Sequence, residues 1–262
     1  MGFVTRPALD RAALPGALGT RWARVEVVDE TASTNADLLA DPDAPDRSVL
    51  VAEHQTSGRG RLDRGWQSPP RTGLTFSVLL RPEPPIPTWG WLPLLVGVAL
   101  HDAVRRTTGV DVGLKWPNDL LHRPSELKLA GILAQTSGAA VVVGIGLNVS
   151  TTKDELPVPT AGSLALCGAD DPDRTALLAA ILADLDRRLV EWTAAAGDAE
   201  ACPLATDYRA ACATLGRSVN VTTTSGTVVH GRAVGIDSAG RLQVDTGTGV
   251  EAVGAGDVEH VR

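Results

Sequence analysis

The chain is 262 residues long and 44% apolar, enough for one large domain with a small one attached. Its 24 basic and 31 acidic residues leave a net charge of −7, a poor match for non-specific binding to nucleic acid. Three cysteines without CxxC spacing (Cys167, Cys202, Cys212) exclude a disulfide framework or zinc ribbon and read as reduced, cytoplasmic thiols, and no apolar run reaches the ~18 residues of a membrane span.

Residues 1–20, rich in Pro, Ala and Leu, predict a short helix or arm, and Trp22 to Val28 a strand. Ser33 or Thr34 then offers an N-cap, with Thr34 and Asp37 as a capping pair. A capped helix start needs no ligand, yet its free amides and hydroxyls also suit a carbonyl or an anion. The apolar run Val49-Leu50-Val51-Ala52 predicts a strand that runs into Gln55-Thr56-Ser57-Gly58-Arg59-Gly60-Arg61-Leu62-Asp63-Arg64-Gly65-Trp66. Three arginines within six positions, spaced by glycines, make a cationic loop. Glycine lets backbone approach a ligand closely, and arginine presents a fixed fork that fits phosphate or carboxylate. Taken alone, the loop is equally a solvated Arg/Gly segment or an RNA-binding patch. Against the acidic background of the chain it favours a small anionic ligand.

Gly73 to Leu80 is a strand leaving that loop, and Trp89 to Thr107 a buried helix with Pro93 tolerated near its first turn. Lys115-Trp116-Pro117-Asn118-Asp119 is an extended turn, because proline biases the residue before it away from helix. Leu127 to Ala134 is a strand interrupted by Lys128, with Gly131 allowing close approach. Lys128 is either an edge lysine facing water or one that reaches into a cleft. Ala139 to Val149 is a central strand whose Gly144-Ile145-Gly146 lacks the third glycine and following helix of a dinucleotide fingerprint. Asp173 to Ala195 is an amphipathic helix with Leu177, Leu178, Ile181, Leu185, Leu189 and Trp192 at helical spacing, and Leu204 to Thr214 is a second. From Arg217 on, five short alternating strands, Val219–Thr222, Thr227–Gly231, Val234–Asp237, Arg241–Val244 and Val250–Val253, at turn spacings of roughly ten residues predict a small barrel, which divides the chain into 1–214 and 215–262.

The chain has no P-loop, no GxSxG elbow and no kinase set. Arginines on a loop, one strand lysine and several asparagines near turns supply neither a nucleophile nor a general base. They suit phosphoryl or nucleotidyl transfer between bound partners, where catalysis is mostly positioning and charge stabilisation.

Ser33-Thr34-Asn35, Gln55-Thr56-Ser57-Gly58-Arg59-Gly60-Arg61, Lys115-Trp116-Pro117-Asn118-Asp119, Lys128-Leu129-Ala130-Gly131-Ile132-Leu133 and Gly144-Ile145-Gly146-Leu147-Asn148 occur in this order. The series, over roughly residues 30–150 with a barrel behind, resembles the biotin protein ligases. That resemblance implies an α+β fold, a mixed sheet with flanking helices related to class II synthetases, and a C-terminal SH3-like domain. It implies that biotin and MgATP give biotinyl-5′-AMP, whose acyl group then passes to a lysine on a biotin carboxyl carrier domain of an acyl-CoA or pyruvate carboxylase. Ser33, Thr34, Asn35, Gln55, Gly58, Arg59, Gly60, Arg61, Lys128 and Gly131 would bind biotin. Arg64, Trp66, Asn118, Lys128 and Asn148 would meet the nucleotide, with Lys128 and Arg61 as the catalytic cations and no metal held by protein ligands alone. Asp63 departs from the glycine common at its position, and the loop is expected to tolerate it. Only about 30 residues precede Ser33, too few for the helix-turn-helix of repressor members, so a monofunctional enzyme without DNA as a partner is expected; no membrane partner is expected, and a monomer is favoured over a dimer. The lipoate and octanoate ligases resemble the same fold, and a non-catalytic RNA-binding module is the alternative of another kind.

Overall fold

The computed structural model describes residues 6–61 and 64–261. In chain order the elements are α1 (Ala13–Leu18), β1 (Arg24–Thr31), α2 (Thr34–Ala40), β2 (Ser48–Gln55), β3 (Gly58–Arg59), β4 (Gly65–Trp66), β5 (Gly73–Leu80), α3 (Leu92–Thr108), β6 (Val112–Lys115), β7 (Asp119–His122), β8 (Lys128–Ser137), β9 (Ala140–Asn148), α4 (Arg174–Ala194) and α5 (Leu204–Ala211). The strands β10 (Ser218–Thr223), β11 (Val228–Ile236), β12 (Leu242–Asp245), β13 (Val250–Val253) and β14 (Gly256–His260) follow.

Seven strands form one sheet in the order β1-β2-β5-β9-β8-β7-β6. β1 and β2 are parallel, and every other pair is antiparallel. β5 is buried at all eight positions because both faces of the sheet are covered, which is why its sequence reads as a near-continuous apolar run. Leu74, Phe76, Val78 and Leu80 join the main core with α3 and α4, whose predicted apolar stripe is buried throughout. Leu79 and Val142, of the opposite parity, pack with Leu38 of α2 and with Leu50 in a smaller cluster on the other face. The five C-terminal strands form an antiparallel sheet ordered β13-β12-β11-β10-β14.

Several boundaries differ from the sequence reading. Ser33 is the N-cap, accepting from the Ala36 amide at 3.4 Å, while Asp37 turns back to the Thr31 hydroxyl. A 3-10 segment, Ile86–Trp91, precedes α3: Pro93 has no N–H to give to Trp89 O, so the α-helix starts at Leu92 with Pro93 in its first turn. β11 is one strand with a bulge between Ala233 and Gly235 where two were predicted, since a bulge breaks the alternation without ending the strand. β14 was not predicted: its Gly256-Asp257 start reads as a turn, and pairing with β10 makes it a strand.

The barrel docks against the large sheet through two indoles. Trp91 and Trp116 are fully buried, and their ring N–H groups donate to Ser238 O at 3.0 Å and Gly240 O at 3.1 Å. His260 closes the same seam between Thr214, at 3.2 Å, and Arg217, at 3.2 Å. Burial, then the Arg217 and Lys115 charges, pull its imidazole down to about 4 from 6.5, against the opposing pull of Glu126. Between these values the unfolded chain binds a proton that the folded one refuses, so stability rises with pH across this window. Chemical denaturation is expected to show stability falling as pH drops from about 6.5 to 4, and His260→Asn is expected to flatten that part of the profile.

Candidate active site

Strand register builds the floor of the site. Thr75 lies opposite Gly146, Gly146 opposite Gly131, and Gly131 opposite Asp119, so the four share one face across β5, β9, β8 and β7. The next row is Ser77, Gly144 and Leu133. Both rows face the α2 side, and above them lies a cavity of about 600 Å³. The paired glycines are there for what rests on them. A Cβ at Gly146 would stand 2.2 Å from the Trp66 indole, and one at Gly144 would stand 2.3 Å from Asn35 Oδ1. The GxG of β9 is therefore a trough for two side chains, in keeping with its dismissal as a dinucleotide motif.

At one end of the cavity α2 presents Ser33, Thr34 and Asn35, and the end of β2 presents Gln55. Gln55 Oε1 accepts from the Thr34 amide (2.8 Å) and hydroxyl (3.0 Å). Ser77 lies 2.7 Å from the Thr34 hydroxyl and donates to Asn35 Oδ1 at 2.6 Å, while Asn35 Nδ2 donates to Leu133 O (3.2 Å) and Gln135 Oε1 (2.8 Å). The four predicted residues do converge. Both Asn35 amide hydrogens are already used within the protein, however, so this residue braces the wall.

The arginine loop closes its own base as a two-residue hairpin, Gly58 opposite Trp66 and Arg59 opposite Gly65. A Cβ at Gly58 would meet Trp66 O at 2.5 Å and Gln55 Nε2 at 2.7 Å, which explains the glycine. Arg61 is half-buried and donates to Asn118 Oδ1 at 3.1 Å, while Asn118 Nδ2 donates to Ile132 O at 3.1 Å. Burial draws the Arg61 guanidinium below the ordinary arginine range, against the pull of Asp119 and Asp257. Arg64 pairs with Asp257 of β14, which brings the barrel to the cavity rim. Trp66 lies with its ring N–H buried and without a hydrogen-bond partner among the described residues. Leu62 and Asp63, and with them the tolerance expected of Asp63, lie outside the described residues.

Lys128 stands at the start of β8 with Nζ 2.7 Å from Asp119 Oδ1, the side chains 38% and 19% exposed. The Gly131 Cβ position is 3.4 Å from that ammonium, so a side chain there would crowd it. Of the two readings of Lys128, the structure supports the one that reaches into a cleft. Asn148 lines the cavity but is buried and donates to Gly162 O at 2.9 Å.

All the predicted site residues except Gly58 line this one cavity; Gly58 is buried in the hairpin beside it. Sequence reasoning missed four contributors: Asp119, Asp257, Gly144 and Gly146. Asp119 ends the Lys115-Trp116-Pro117-Asn118-Asp119 run, and alternate glycines in an apolar strand were a signal of side chains lying on its face. Nothing local marked Asp257, which reaches the site only through the docking of the barrel. Among the described residues no cluster of three His, Cys, Asp or Glu could hold a metal.

The cavity over this face of the mixed sheet brings Arg61, Arg64 and Lys128 together with an end lined by amides and hydroxyls, the arrangement of a site that holds and joins anionic groups. Residues 25–150 match the biotin/lipoate A/B protein ligase family, and residues 214–261 match the biotin protein ligase C-terminal domain. The chain is 43% identical to the biotin–[acetyl-CoA-carboxylase] ligase of Mycobacterium tuberculosis, covering 98% of this chain and 97% of that one. It is 30% identical to the bifunctional ligase/repressor BirA of Bacillus subtilis over 89% of this chain and 72% of that protein. The biotin protein ligase of Aquifex aeolicus in complex with biotin and ATP superposes with a TM-score of 0.77 at 28% identity, covering 92% of this chain and all of the other. The chain belongs to the biotin protein ligase family.

Proposed function

We propose that the protein biotinylates one lysine of a biotin carboxyl carrier domain in two steps. A biotin carboxylate oxygen attacks the α-phosphorus of ATP; the new P–O bond forms as the bond to the β-phosphate bridge breaks, giving biotinyl-5′-AMP and pyrophosphate. The carrier lysine, as free amine, then attacks the acyl carbon, AMP leaves, and the amine gives up a proton. The convergence of Arg61, Arg64 and Lys128 on one cavity carries this reading. The two anions of the first step repel each other, and fixed cations aimed at that point lower the barrier.

In this reading Ser33, Thr34 and Gln55 hold the biotin end, Lys128 the reacting carboxylate and α-phosphate, and Arg64 and Trp66 the nucleotide side. Among the described lining residues the carboxylates are Asp119 and Asp257, each already paired with a cation, so magnesium would arrive with the nucleotide phosphates. The division at 214/215 is supported by the change there from mixed sheet to antiparallel five-stranded sheet. Three free thiols agree with action in the cytoplasm, and no described helix is long and apolar enough to cross a membrane.

The test is incubation with biotin, MgATP and a carrier domain, followed by the mass of the carrier lysine. Pyrophosphate release driven by lipoate and indifferent to biotin would overturn the choice of substrate. Arg61→Gly gives a second check. Losing one charge-assisted clamp is expected to speed escape of the adenylate roughly tenfold while leaving its formation largely intact, because other donors remain. Labelling of bystander proteins should rise accordingly, and a variant that stays specific for the carrier would count against this role.

A further inference from the structure

The N-terminal arm belongs to neither the sheet nor the cavity lining, yet it is bonded like a core element. The Leu9 amide donates to Glu53 Oε1 at 2.6 Å, and Arg174 donates to Pro7 O at 2.7 Å. Both contacts sit on the buried Glu53–Arg174 ion pair. From this fixed base Arg6 reaches the excursion that follows β9. Its Nη1 and Nη2 donate to the two Glu155 oxygens at 3.0 and 2.7 Å, and Nη2 also reaches Ser150 O at 3.3 Å. The two side chains are only 16% and 29% exposed. Glu155 separately accepts from the Thr152 amide (2.9 Å) and hydroxyl (3.0 Å), closing a capping box that does not involve the arm.

Beyond Glu155 the same segment becomes a wall of the cavity, through Pro157, Val158, Thr160 and Ala161. Its far end is sewn to the reacting strand. The Lys128 amide donates to Thr160 O at 2.8 Å, the Gly162 amide donates to Lys128 O at 2.8 Å, and Asn148 donates to Gly162 O. The wall is thus held by Lys128 and Asn148 at one end and by Arg6 at the other. Lys128 and Leu133, whose carbonyl Asn35 reaches, lie five positions apart on β8, so the Thr160 end of the wall and the Asn35 end of the cavity are roughly 16 Å apart along the strand.

We propose that Arg6 is a positioning residue for the nucleotide half of the cavity, fixing Glu155 against the arm and so setting where the Pro157–Ala161 wall stands relative to Lys128. This rests on the ligase reading above. A bidentate, half-shielded guanidinium–carboxylate pair fixes direction as well as distance, and the Arg6 fork beside Glu155 also holds that carboxyl down at about 2, keeping it ionised at any working pH. Without it the wall keeps its capping box and its Lys128 end but loses its outer anchor.

Steady-state adenylation by the 262-residue chain, with biotin and MgATP varied separately, tests the inference. Arg6→Ala is expected to raise the KM for MgATP roughly 3- to 30-fold, the range for a residue acting through a contiguous network, while biotin affinity stays within about twofold. Arg6→Lys should recover part of the loss, since it restores charge without the fork. The exchanged pair Arg6→Glu with Glu155→Arg should recover more than either single change. A purely structural role would lower the melting temperature without splitting the two substrates. A KM for MgATP within twofold of wild type, or equal rises for both substrates with no recovery in the exchanged pair, overturns the proposal. If Arg6→Ala does not fold, Arg6→Lys and the exchanged pair carry the same comparison. Failure of the wild-type chain to form biotinyl-AMP would instead overturn the ligase reading.

Discussion

Lys128→Ala is expected to slow formation of biotinyl-AMP by roughly 10²–10³-fold, the loss typical of one electrostatic stabiliser. Two anions must meet in a partly enclosed cavity, and the Lys128 ammonium stands on its floor within 2.7 Å of Asp119. The aspartate shapes the prediction. Removing the lysine takes away a positive charge and also leaves a carboxylate without its partner beside the reacting groups. Lys128→Ala with Asp119→Asn should therefore be less impaired than Lys128→Ala alone, a non-additivity expected of residues in direct contact. Lys128→Arg should rescue only in part, because a planar fork does not reproduce a compact point charge. Biotin binding should suffer much less than the rate, since Ser33, Thr34 and Gln55 remain to hold the other end of the molecule. Single-turnover formation of the adenylate at saturating biotin and MgATP measures the effect, with circular dichroism to confirm the fold. A near wild-type rate for Lys128→Ala would reduce the Lys128–Asp119 pair to a structural tie.

Glu53→Gln should be the most destabilising of the substitutions considered, costing about 3–5 kcal/mol, the range for breaking a buried ion pair. Glu53 and Arg174 are 3% and 7% exposed, 2.7 Å apart, and Arg174 also donates to Gly73 O at 3.1 Å and to Pro7 O. Glutamine keeps an acceptor for the Leu9 amide but leaves the guanidinium charge uncompensated away from water. The same pair joins β2, the start of β5, the N-terminal arm and α4, so its loss should loosen the strand that ends in Gln55. Urea denaturation at neutral pH reads the change. Replacing both residues with methionine should recover only part of the stability, because the desolvation cost of both charges disappears while the Leu9 amide and the Gly73 and Pro7 carbonyls lose their partners. A loss below about 1 kcal/mol for the single change would mean that water reaches the pair freely.

Most of the strands and helices were legible because their periodicity is local. The stripe of α4, the apolar runs of β2, β5 and β9 and the cap at Ser33 follow from side-chain spacing and short-range hydrogen bonds. The arginine loop and Lys128 also stood out along the chain, because a charge inside an apolar strand and glycines between arginines are costly without a purpose. β11 and β14 were less so: a bulge and a glycine start are settled by the partner strand, which lies elsewhere in the chain.

What the residues along the chain determined by themselves was therefore the inventory: which segments are strands, which side chains are charged, and where the backbone can be approached. Tertiary structure alone decided the partnerships. Lys128 faces Asp119 because β7 and β8 pair with a register shift between Leu120 and Leu121. Trp66 finds its trough because Gly146 and Gly131 fall opposite one another in neighbouring strands. Asp257 meets Arg64, and Arg6 meets Glu155, across 193 and 149 positions of sequence. Charge complementarity over such separations is satisfied by many pairings in an unfolded chain. Only the packed core, by fixing strand register and docking the barrel and the arm, selects one.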